Sequence, residues 1–545
     1  MSFRFEALSL VIATNAIIFA PIVGQAAPTA GGVSAHASSG IPDGYKLTWS
    51  DEFNQGVGSQ PSKDDWHYDI GKNNANNELE IYTDDAEHSQ IVADRQAVDG
   101  QALQILQTND GGVYHSARMT TGGKHDFKYG FIESRIKLPY GQGIWPAFWM
   151  LGSNIGQVGW PSCGEIDIME NIGMKSWWSH NQASLHSQKA GGHGTFDFGE
   201  GYDLPSGTFK DEYHTFQCWW LPDSLSFYVD GNLYETHTKA DYGDNPYPFN
   251  DPEFILLNVA VGGGWPGNPD SSTIFPMKML VDYVRVYSGT PQKPPMPTHF
   301  KATPAEGKQI ILCWQSDVNA TGYNLYRSTT KKFDLSTPYK TGLQTSRFTD
   351  TGLSENQRYF YRLAAINPAG MSAPCKTASA VAPKAIELPY LGKPASIPGK
   401  VQIPNYDRGG EGLAYHDSDP INVGHYYRPL DGVDIEETAD DGGGYDVGYA
   451  AAGEWLKYTV DVKKAGEYVL SFRVASDQSG GTLHLEDASG KDLTGPVTFA
   501  KTGGWQKFET VPATSTVTLP AGKQVLKLVE DTGGFNIHYF DIEAK

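Results

Sequence analysis

Three acidic residues, Glu165, Asp167 and Glu170, stand close together in the segment CGEIDIMENIG. In a β-strand the side chains alternate between two faces, so Glu165 and Asp167 share one face and the isoleucines occupy the other. Strict alternation would place Glu170 with the isoleucines. One extra residue, a β-bulge around Ile168–Met169, would return Glu170 to the face of the other two acids. The spacing therefore predicts a bulged strand with three carboxyl groups on one face.

Paired carboxyl groups can hydrolyse a glycosidic bond, because an ionised one attacks the anomeric carbon while a protonated one gives its proton to the leaving oxygen. With the bulge, the two glutamates are about four rises of roughly 3.3 Å apart along the backbone, or ~13 Å. Side chains that lean together could close this to the roughly 5–5.5 Å of retaining enzymes. Crowding and burial are expected to raise one carboxyl pKa and leave another low. The alternatives are an edge strand with solvated acids or a cation site, of which a calcium loop fits less well.

Aromatic residues flank the acids. Trp145 and Trp149 lie upstream in GIWPAFWML at an even spacing, so one strand face can carry both. Indole rings stack on the apolar faces of sugars while polar groups bind the hydroxyls. Core packing is the plain alternative for tryptophans in an apolar strand. His186 in ASLHSQ and Trp265 in GGGWPGN follow downstream.

The elements that must position these residues are short strands. The segments FIESRIKL, SLSFYVD, FILLNVAV and MLVDYVRVY lie between clusters of Gly, Asn, Asp and Pro, and no long stretch has a helical period. Residues 45–287 are therefore predicted to form one β-sandwich. A Pro-rich stretch, SGTPQKPPMPTHF, follows it and is expected to stay extended. The predicted fold class is all-β.

Composition limits the partners. The 545 residues include 42 Lys and Arg against 63 Asp and Glu, a net charge of −21, so binding to nucleic acid or to an anionic membrane is not expected. Arg4 precedes an apolar stretch and small residues near Ala26, which predicts a cleaved signal peptide and secretion. Four cysteines are too few for a disulfide scaffold, and pairing of Cys163 with Cys218 or of Cys313 with Cys375 stays open.

The block from about Leu47 to Tyr287 resembles glycoside hydrolase family 16, and within it the laminarinase-like endo-β-1,3-glucanases. The resemblance rests on DEF, NNELEIYT, ARMTT, GIWPAFWML, WPSCGEIDIME, SLH, FYVDG, LNVAVGGGWPG and VDYVRVY, in this order. It implies a curved β-jelly roll with a cleft across its concave face. By resemblance, Glu165 is the nucleophile, Glu170 the general acid/base and Asp167 the assisting carboxylate.

The same resemblance implies further site residues. Those that match positions lining the sugar subsites are Asn77, Arg118, Trp145, Trp149, His186 and Trp265. Asp282 matches the side-chain ligand of a structural calcium ion on the convex side, while no cofactor is implied for catalysis. The WPAFWML and GGGWPG segments favour a β-1,3-glucan. A mixed-linkage β-glucan or a marine galactan such as agarose is the alternative substrate, transglycosylation is open, and a non-catalytic β-glucan-binding protein is the alternative of another class.

Two smaller blocks follow. Residues from about 300 to 383 resemble a fibronectin type III domain through Trp314, Leu353 and Tyr359, the last as the tyrosine corner. Residues from about 397 to 542 resemble carbohydrate-binding module family 6. There Tyr449 and Trp505 resemble the aromatic pair that clamps a sugar and Asn536 the amide that binds its hydroxyls, and the Gly-rich turns around both aromatics predict exposed loops. Gln402 and Pro404 replace the usual acidic pair, which puts the module's calcium in doubt, although Asp541 could still contribute a ligand.

The sequence thus predicts a signal peptide at 1–26, a disordered segment at 27–40, a catalytic jelly roll at 41–288, an immunoglobulin-like spacer at 297–384 and a β-sandwich carbohydrate-binding module at 397–545. A module tethered to an endo-acting enzyme would raise the effective concentration of an insoluble substrate. The expected partner is a β-glucan polysaccharide, with no membrane contact after signal cleavage, and the chain is expected to act as a monomer.

Overall fold

The structure is a computed structural model that describes residues 40–545 except 74, 419–421, 423–426, 429, 430 and 478. The predicted signal peptide at 1–26 lies outside the described residues, and so does the predicted disordered segment apart from residue 40. Within the described ranges, no helix has both the length and the apolar character needed to cross a membrane.

The first domain is built from strands β1–β18. Their bounds are β1 Tyr45–Asp51, β2 His67–Tyr68, β3 Gly71–Lys72, β4 Glu80–Tyr82, β5 Ser89–Ala93, β6 Gln101–Asp110, β7 Val113–Ser116, β8 Arg118–Thr120, β9 Gly130–Lys137, β10 Ile144–Gly152, β11 Glu165–Glu170, β12 His180–Gln188, β13 Thr195–Asp203, β14 His214–Leu221, β15 Ser224–Val229, β16 Asn232–Thr238, β17 Glu253–Val261 and β18 Met277–Gly289. Short helices interrupt them, namely α1 Ile155–Val158 and the 3-10 turns Ala75–Asn77, Lys175–Trp177 and Lys239–Tyr242.

These strands form two packed sheets, which confirms the all-β jelly roll. One sheet, eleven strands as counted over the described residues, has the order β16-β15-β14-β9-β18-β6-β7-β4-β3, with β1 on β18 and β5 on β6. The other, seven strands by the same count, has the order β13-β12-β11-β10-β17-β8-β2. The main core fills the space between them, and its largest members include Phe148, Trp220 and Phe227. Burial of this apolar surface is the dominant stabilising contribution.

The second domain is a small two-sheet sandwich. Its strands are β19 Lys301–Ala305, β20 Gln309–Cys313, β21 Gly322–Ser328, β22 Lys340–Leu343, β23 Arg347–Asp350, β24 Arg358–Asn367, β25 Gly370–Met371 and β26 Ala378–Val381. Trp314, Leu353 and Tyr359 are buried in its core, and the Tyr359 hydroxyl accepts a hydrogen bond from the Ser354 N–H at 3.1 Å. These are the structural roles predicted for them, while the fibronectin type III assignment itself stays a prediction.

The third domain is a larger two-sheet sandwich around its own core. Its strands are β27 Ala395–Ile397, β28 Gly399–Gln402, β29 Tyr415–His416, β30 Ile435–Glu437, β31 Tyr445–Val447, β32 Trp455–Val462, β33 Gly466–Ser476, β34 Gly481–Asp487, β35 Val497–Phe499, β36 Gly504–Pro512, β37 Val517–Leu519, β38 Gly522–Glu530 and β39 Asn536–Ala544, with a 3-10 turn at Ile403–Asn405. The sheet that carries β30, β31, β39, β33 and β36 holds the sugar-binding candidates.

Two open points of the sequence are answered. The Pro-rich stretch after β18 has neither helix nor strand over residues 290–300, and the Asn367 side chain holds it by donating to the Gln292 carbonyl at 2.6 Å. The four cysteines all lie among the described residues and are free thiols; Cys313 is exposed and the other three are buried.

One buried acid lies on β17, the strand next to β10 in the same sheet. Glu253, at the start of β17, is fully buried, and its two carboxyl oxygens have no hydrogen-bond partner among the described residues. Burial raises the pKa of Glu253 well above its usual value, and the charges of Glu165 and Asp167 add to the rise. The carboxyl group is therefore protonated in the folded protein at pH values where the unfolded chain has already lost that proton.

This predicts a loss of stability with rising pH. Above the unfolded pKa near 4.5 and below the folded pKa, only the folded state holds the proton, so the free energy of unfolding falls by about 1.4 kcal/mol per pH unit. Glu253→Gln should weaken this fall in thermal unfolding measured from pH 5 to 8. Glu212→Gln, at an exposed acid of the same domain, is the control. Equal slopes for the wild type and Glu253→Gln would contradict the prediction.

Candidate active site

The three acids of β11 lie on one face of the sheet that contains β10, β11 and β12, as the spacing predicted. In the pairing of β10 with β11, Trp149 faces Asp167 and Phe148 faces Met169, so Ile168 is the extra residue. The pairing of β11 with β12 also shifts between Asp167 and Glu170. The predicted bulge is confirmed. Its physical effect is that two successive apolar side chains, those of Ile168 and Met169, both enter the core.

Each glutamate of β11 has its own indole donor. The Trp145 Nε1–H donates to Glu170 Oε1 at 2.9 Å, and the Trp160 Nε1–H donates to Glu165 Oε2 at 2.7 Å. Glu170 is buried, with 9% of its surface exposed, whereas Glu165 is half-buried. The two carboxyl groups therefore share one face but differ in solvent access.

The imidazole ring of His186 places positive charge beside the acids. It lies directly opposite Glu165 on β12, its Nε2 is 3.1 Å from Asp167 Oδ2, and its Nδ1 is 2.7 Å from Asp197 Oδ1. Burial opposes protonation of His186, but the hydrogen bond and charge of Asp167, with those of Glu165 and Asp197, raise its pKa to about 10. The ring is thus an imidazolium held between carboxylates.

Burial raises the pKa of both glutamates, and the Asp167 charge adds to each rise. For Glu165, the His186 cation, the Trp160 hydrogen bond and the more distant Arg118 oppose the rise. Glu170 is the more buried of the two, and burial raises its pKa further. The Trp160 hydrogen bond and the His186 cation favour the ionised form of Glu165, and the greater burial of Glu170 favours its protonated form. The pKa of both glutamates is raised, so the expectation that one of them stays low is not met.

Tryptophans form the wall of the cleft next to Glu170. Trp145 and Trp149 are half-buried on the same face of β10 and lie outside the main core, although Trp149 packs against the small cluster of Leu151, Cys163 and Leu256. Trp145 meets Trp265 edge-on at 5.4 Å between ring centroids, and Trp265 meets Trp177 at 5.3 Å. We call Trp145, Trp265 and Trp177 the tryptophan ladder. It leads from the Glu170 carboxyl group to the loop after β11.

The remaining subsite candidates lie around this wall. Arg118 on β8 is over the Trp149 ring at 4.8 Å and pairs with Asp69 at 3.0 Å. Asn77 is exposed in the 3-10 turn Ala75–Asn77, where the neighbouring Asn76 carbonyl accepts from the Gly264 N–H at 2.7 Å. That hydrogen bond joins the turn to the loop that carries Trp265.

Backbone conformation favours glycine in this loop. Gly263 has a φ of +126°, and a Cβ added there would be in ordinary contact, at 3.4 Å, with the Asn76 carbonyl and the Trp145 ring. The GGGWPG segment therefore lies next to the turn and to Trp145. Trp265 is left 41% exposed at the cleft.

Sequence reasoning missed several contributors. Trp160 was present in the WPSCGE motif but was not singled out, and Trp177 stands in MKSWW without a pattern that marks it. Asn258, which accepts from Trp149 Nε1–H at 2.7 Å and donates to the Tyr82 hydroxyl at 3.1 Å, lies in an apolar strand. An isolated polar residue in FILLNVAV was the available signal for Asn258.

The candidates for metal ligation do not fit a metal. Glu165, Asp167 and His186 have ligand atoms within 4.8 Å of one another, but both ring nitrogens of His186 already contact carboxylates, Nε2 that of Asp167 and Nδ1 that of Asp197. The Asp282 carboxylate, predicted to hold calcium, instead pairs with Arg135 and accepts from the Val98 N–H at 3.1 Å. An arginine in contact takes the place of the cation, so the residues around Asp282 do not form a calcium site.

The third domain exposes both of its predicted sugar-binding aromatics. Tyr449 is 59% exposed and Trp505 is 40% exposed. Asn536 is buried and donates to Glu436 and to Asp446, the latter at 3.1 Å. Exposure of the two aromatics is as predicted, but Trp505 is not in a loop. It is the second residue of β36, because Gly504 already pairs with Ser476 of β33.

An all-β sandwich that presents paired carboxyl groups beside tryptophans on one sheet face has the arrangement expected of a glycoside hydrolase. The sequence profiles of glycosyl hydrolases family 16 and of carbohydrate binding module family 6 match residues 66–285 and 425–544, respectively. The chain belongs to glycosyl hydrolase family 16 and carries a family 6 carbohydrate-binding module at its C-terminal end.

Three relatives illustrate the similarity. The Beta-glucanase of Rhodothermus marinus is 35% identical over 45% of this chain and 85% of its own length. The Glucan endo-1,3-beta-glucosidase of Cryptopygus antarcticus is also 35% identical, over 45% of this chain and 92% of its own length. The Clotting factor G alpha subunit of Tachypleus tridentatus is 27% identical over 91% of this chain and 76% of its own length.

The Trp160 hydrogen bond makes a prediction about pH. Because it favours the ionised form of Glu165, Trp160→Phe should raise the Glu165 pKa and move the acidic limb of the kcat/KM profile for glycoside hydrolysis to higher pH, by about one unit. Trp178→Phe is the control, since that indole donates to the Gly173 carbonyl instead of a carboxylate. An unshifted acidic limb in Trp160→Phe would contradict the assignment.

Proposed function

We propose that the protein is a secreted, retaining endo-glycosidase that cleaves internal β-1,3-glucosidic bonds of laminarin-type β-glucans. The observation that carries the proposal is the bulged strand β11, which sets Glu165, Asp167 and Glu170 on one face of the cleft with unequal burial. The relatives named as a beta-glucanase and a glucan endo-1,3-beta-glucosidase support the choice of glucan. Family 16 enzymes retain anomeric configuration.

In the first step, the ionised Glu165 attacks the anomeric carbon and an ester bond forms between them. The glycosidic bond breaks at the same time, and Glu170 passes its proton to the departing oxygen. Trp160 positions the Glu165 carboxylate and Trp145 positions the Glu170 carboxyl group. The greater burial of Glu170 keeps its proton in place until the leaving oxygen can take it.

In the second step, Glu170 is the base. It takes a proton from water, the water oxygen attacks the anomeric carbon, and the ester bond to Glu165 breaks. Glu170 is then protonated and Glu165 ionised, as at the start. A sugar hydroxyl in place of water would give transglycosylation by the same route.

Asp167 and His186 support this cycle through charge. Asp167 lies between the two glutamates on the strand, and its contact with the imidazolium of His186 keeps a compensated charge beside them. As negative charge leaves Glu165 in the first step, the His186 cation remains to favour the return of that charge in the second. Asp167 and His186 are therefore positioning residues.

The wall of the cleft suits a neutral polysaccharide. Indole faces bind sugar rings through apolar contact, and the Arg118 guanidinium is already paired with Asp69. The net charge of −21 further disfavours a sulfated chain. The third domain is proposed to hold the same glucan through Tyr449 and Trp505. A protein that only binds glucan is less well supported, because Glu165 and Glu170 each accept a hydrogen bond from a tryptophan and share one face of β11 with Asp167.

Substitution of the two glutamates should separate their roles. Glu165→Gln and Glu170→Gln should each lower kcat on laminarin by at least about 10²-fold. With a dinitrophenyl β-glucan oligosaccharide, whose leaving group needs no proton, Glu170→Gln should recover the first step and show a burst of dinitrophenol, and Glu165→Gln should not. A burst in both variants would contradict the assignment of Glu165 as nucleophile.

A panel of polysaccharides tests the substrate. Reducing-sugar release from laminarin should exceed that from barley mixed-linkage glucan and from agarose at equal enzyme concentration. NMR of the first product should show the β-anomer before mutarotation, because two displacements restore the configuration. Faster cleavage of barley glucan or agarose would contradict the choice of a β-1,3-glucan as the substrate. An initial α-anomer would contradict retention.

A further inference from the structure

The first and second domains are joined by a closed hydrogen-bonded contact. The Thr236 N–H donates to Gln344 Oε1 at 3.0 Å and the Gln344 Nε2–H donates to the Thr236 carbonyl at 2.9 Å. The Gln344 amide thus binds the backbone of β16, an edge strand, as a neighbouring strand would. The Tyr228 hydroxyl, buried, donates to the Ala320 carbonyl at 2.9 Å. These contacts fix the spacer to the catalytic domain.

The second and third domains are also in contact. The Arg408 Nε–H lies 3.1 and 3.2 Å from the two carboxyl oxygens of Glu306. Beside this pair, a Cβ added to Gly307 would lie 2.7 Å from the Gly410 Cα, so the two backbones touch. The spacer is therefore held at both ends, and the binding module is not on a freely swinging tether.

A third contact joins the binding module to the cleft itself. Lys175 Nζ lies 3.4 Å from Glu437 Oε2. Lys175 begins the 3-10 turn Lys175–Trp177 just after β11, and Trp177 is the far end of the tryptophan ladder. An exposed ion pair of this kind adds little stability. It does show that the first and third domains are in contact at this point.

Glu437 is the last residue of β30 and directly follows Glu436, which binds the amide of Asn536. Its neighbour Glu436 accepts hydrogen bonds from Asn536 and, at 2.8 Å, from the Gln506 Nε2–H. Two residues after Glu437, the Ala439 N–H donates to Gln506 Oε1 at 2.7 Å. Gln506 follows Trp505 in the chain. The Lys175 contact is therefore one residue along β30 from the Glu436 carboxylate that Asn536 and Gln506 bind.

We propose that the catalytic cleft and the module's sugar site form one continuous track for a single β-glucan chain. The chain passes from the carboxyl groups over the tryptophan ladder, crosses the Lys175–Glu437 contact and reaches Tyr449 and Trp505. This inference rests on the proposed function for the identity of the polymer. The surface along this path offers aromatic faces, amides and a charge-compensated ion pair, which is the chemistry that binds a neutral polysaccharide.

A fixed track differs from a tether in what it does to the substrate. A flexible module raises the concentration of polymer near the enzyme, whatever the register of the chain. A track binds one chain at both ends of the path, so only chains long enough to reach both sites gain affinity. Chain length, rather than solubility, then decides how much the module contributes.

Binding stoichiometry tests the track without hydrolysis. Glu165→Gln in the full chain should bind two short β-1,3-glucan oligosaccharides, one in each site, by isothermal titration calorimetry. With oligosaccharides of increasing length, the stoichiometry should fall to one oligosaccharide per protein, and the affinity should rise at the same chain length. A stoichiometry of two bound oligosaccharides per protein at every length would overturn the track.

Variants at the module locate the path. With soluble oligosaccharides, kcat/KM of the wild type should rise again beyond the length that fills the cleft. Trp505→Ala should remove that second rise, a loss of about three- to tenfold in kcat/KM for the long oligosaccharides. If Trp505→Ala lowers binding to insoluble glucan but keeps the second rise, the module is a tether and the track is wrong.

Charge reversal tests the contact between the domains. Glu437→Lys should place two cations together and weaken the second rise, and the double variant with Lys175→Glu should restore it. Glu467→Lys is the matched control, because Glu467 is an exposed acid paired with Lys545 within the same domain. Equal effects of Glu437→Lys and Glu467→Lys would overturn the path. If the wild type hydrolyses no β-1,3-glucan, the proposed function is wrong. The binding stoichiometry would still test the track.

Discussion

The site depends on the bulge in β11. Ile166, Ile168 and Met169 are fully or almost fully buried in the main core, and they anchor the strand. Because the bulge sends Ile168 and Met169 to the same side, Glu170 emerges on the cleft face with Glu165 and Asp167. Without the extra residue the register would place a carboxyl group in the core. The same local irregularity therefore satisfies the packing of the sandwich and assembles its chemistry.

Charge at the site follows from this packing. Acids that face a cleft from the middle of a sheet lose solvent, which raises the pKa of both glutamates. The fold supplies compensation from the next strand, where His186 is held between Asp167 and Asp197. The indoles of Trp145 and Trp160 each bind one glutamate, so aromatic residues serve as hydrogen-bond donors to the acids as well as surfaces for sugar. Two identical side chains thereby acquire different proton affinities.

Hydrogen bonds and ion pairs between named side chains set the arrangement of the three domains. The Gln344 amide closes the edge of β16, and Arg408 pairs with Glu306 at the other end of the spacer. The Pro-rich stretch is held by Asn367 instead of acting as a free linker. The position of the module is thus set by the same chain that sets the cleft, which is why Lys175 can meet Glu437.

The sequence by itself determined the fold class, the bulged strand and the identity of the three acids, because alternation and spacing along one strand are local properties. It also marked Trp145, Trp149, Tyr449 and Asn536 through motifs. Only the tertiary structure decided that Trp160 and His186 contact the acids, that Arg135 occupies the place expected for calcium at Asp282, and that the spacer is fixed. The contacts of His186, Arg135 and the spacer join residues distant in the chain. Trp160 is only five residues before Glu165, but it lies in the turn before β11, where strand alternation predicts nothing.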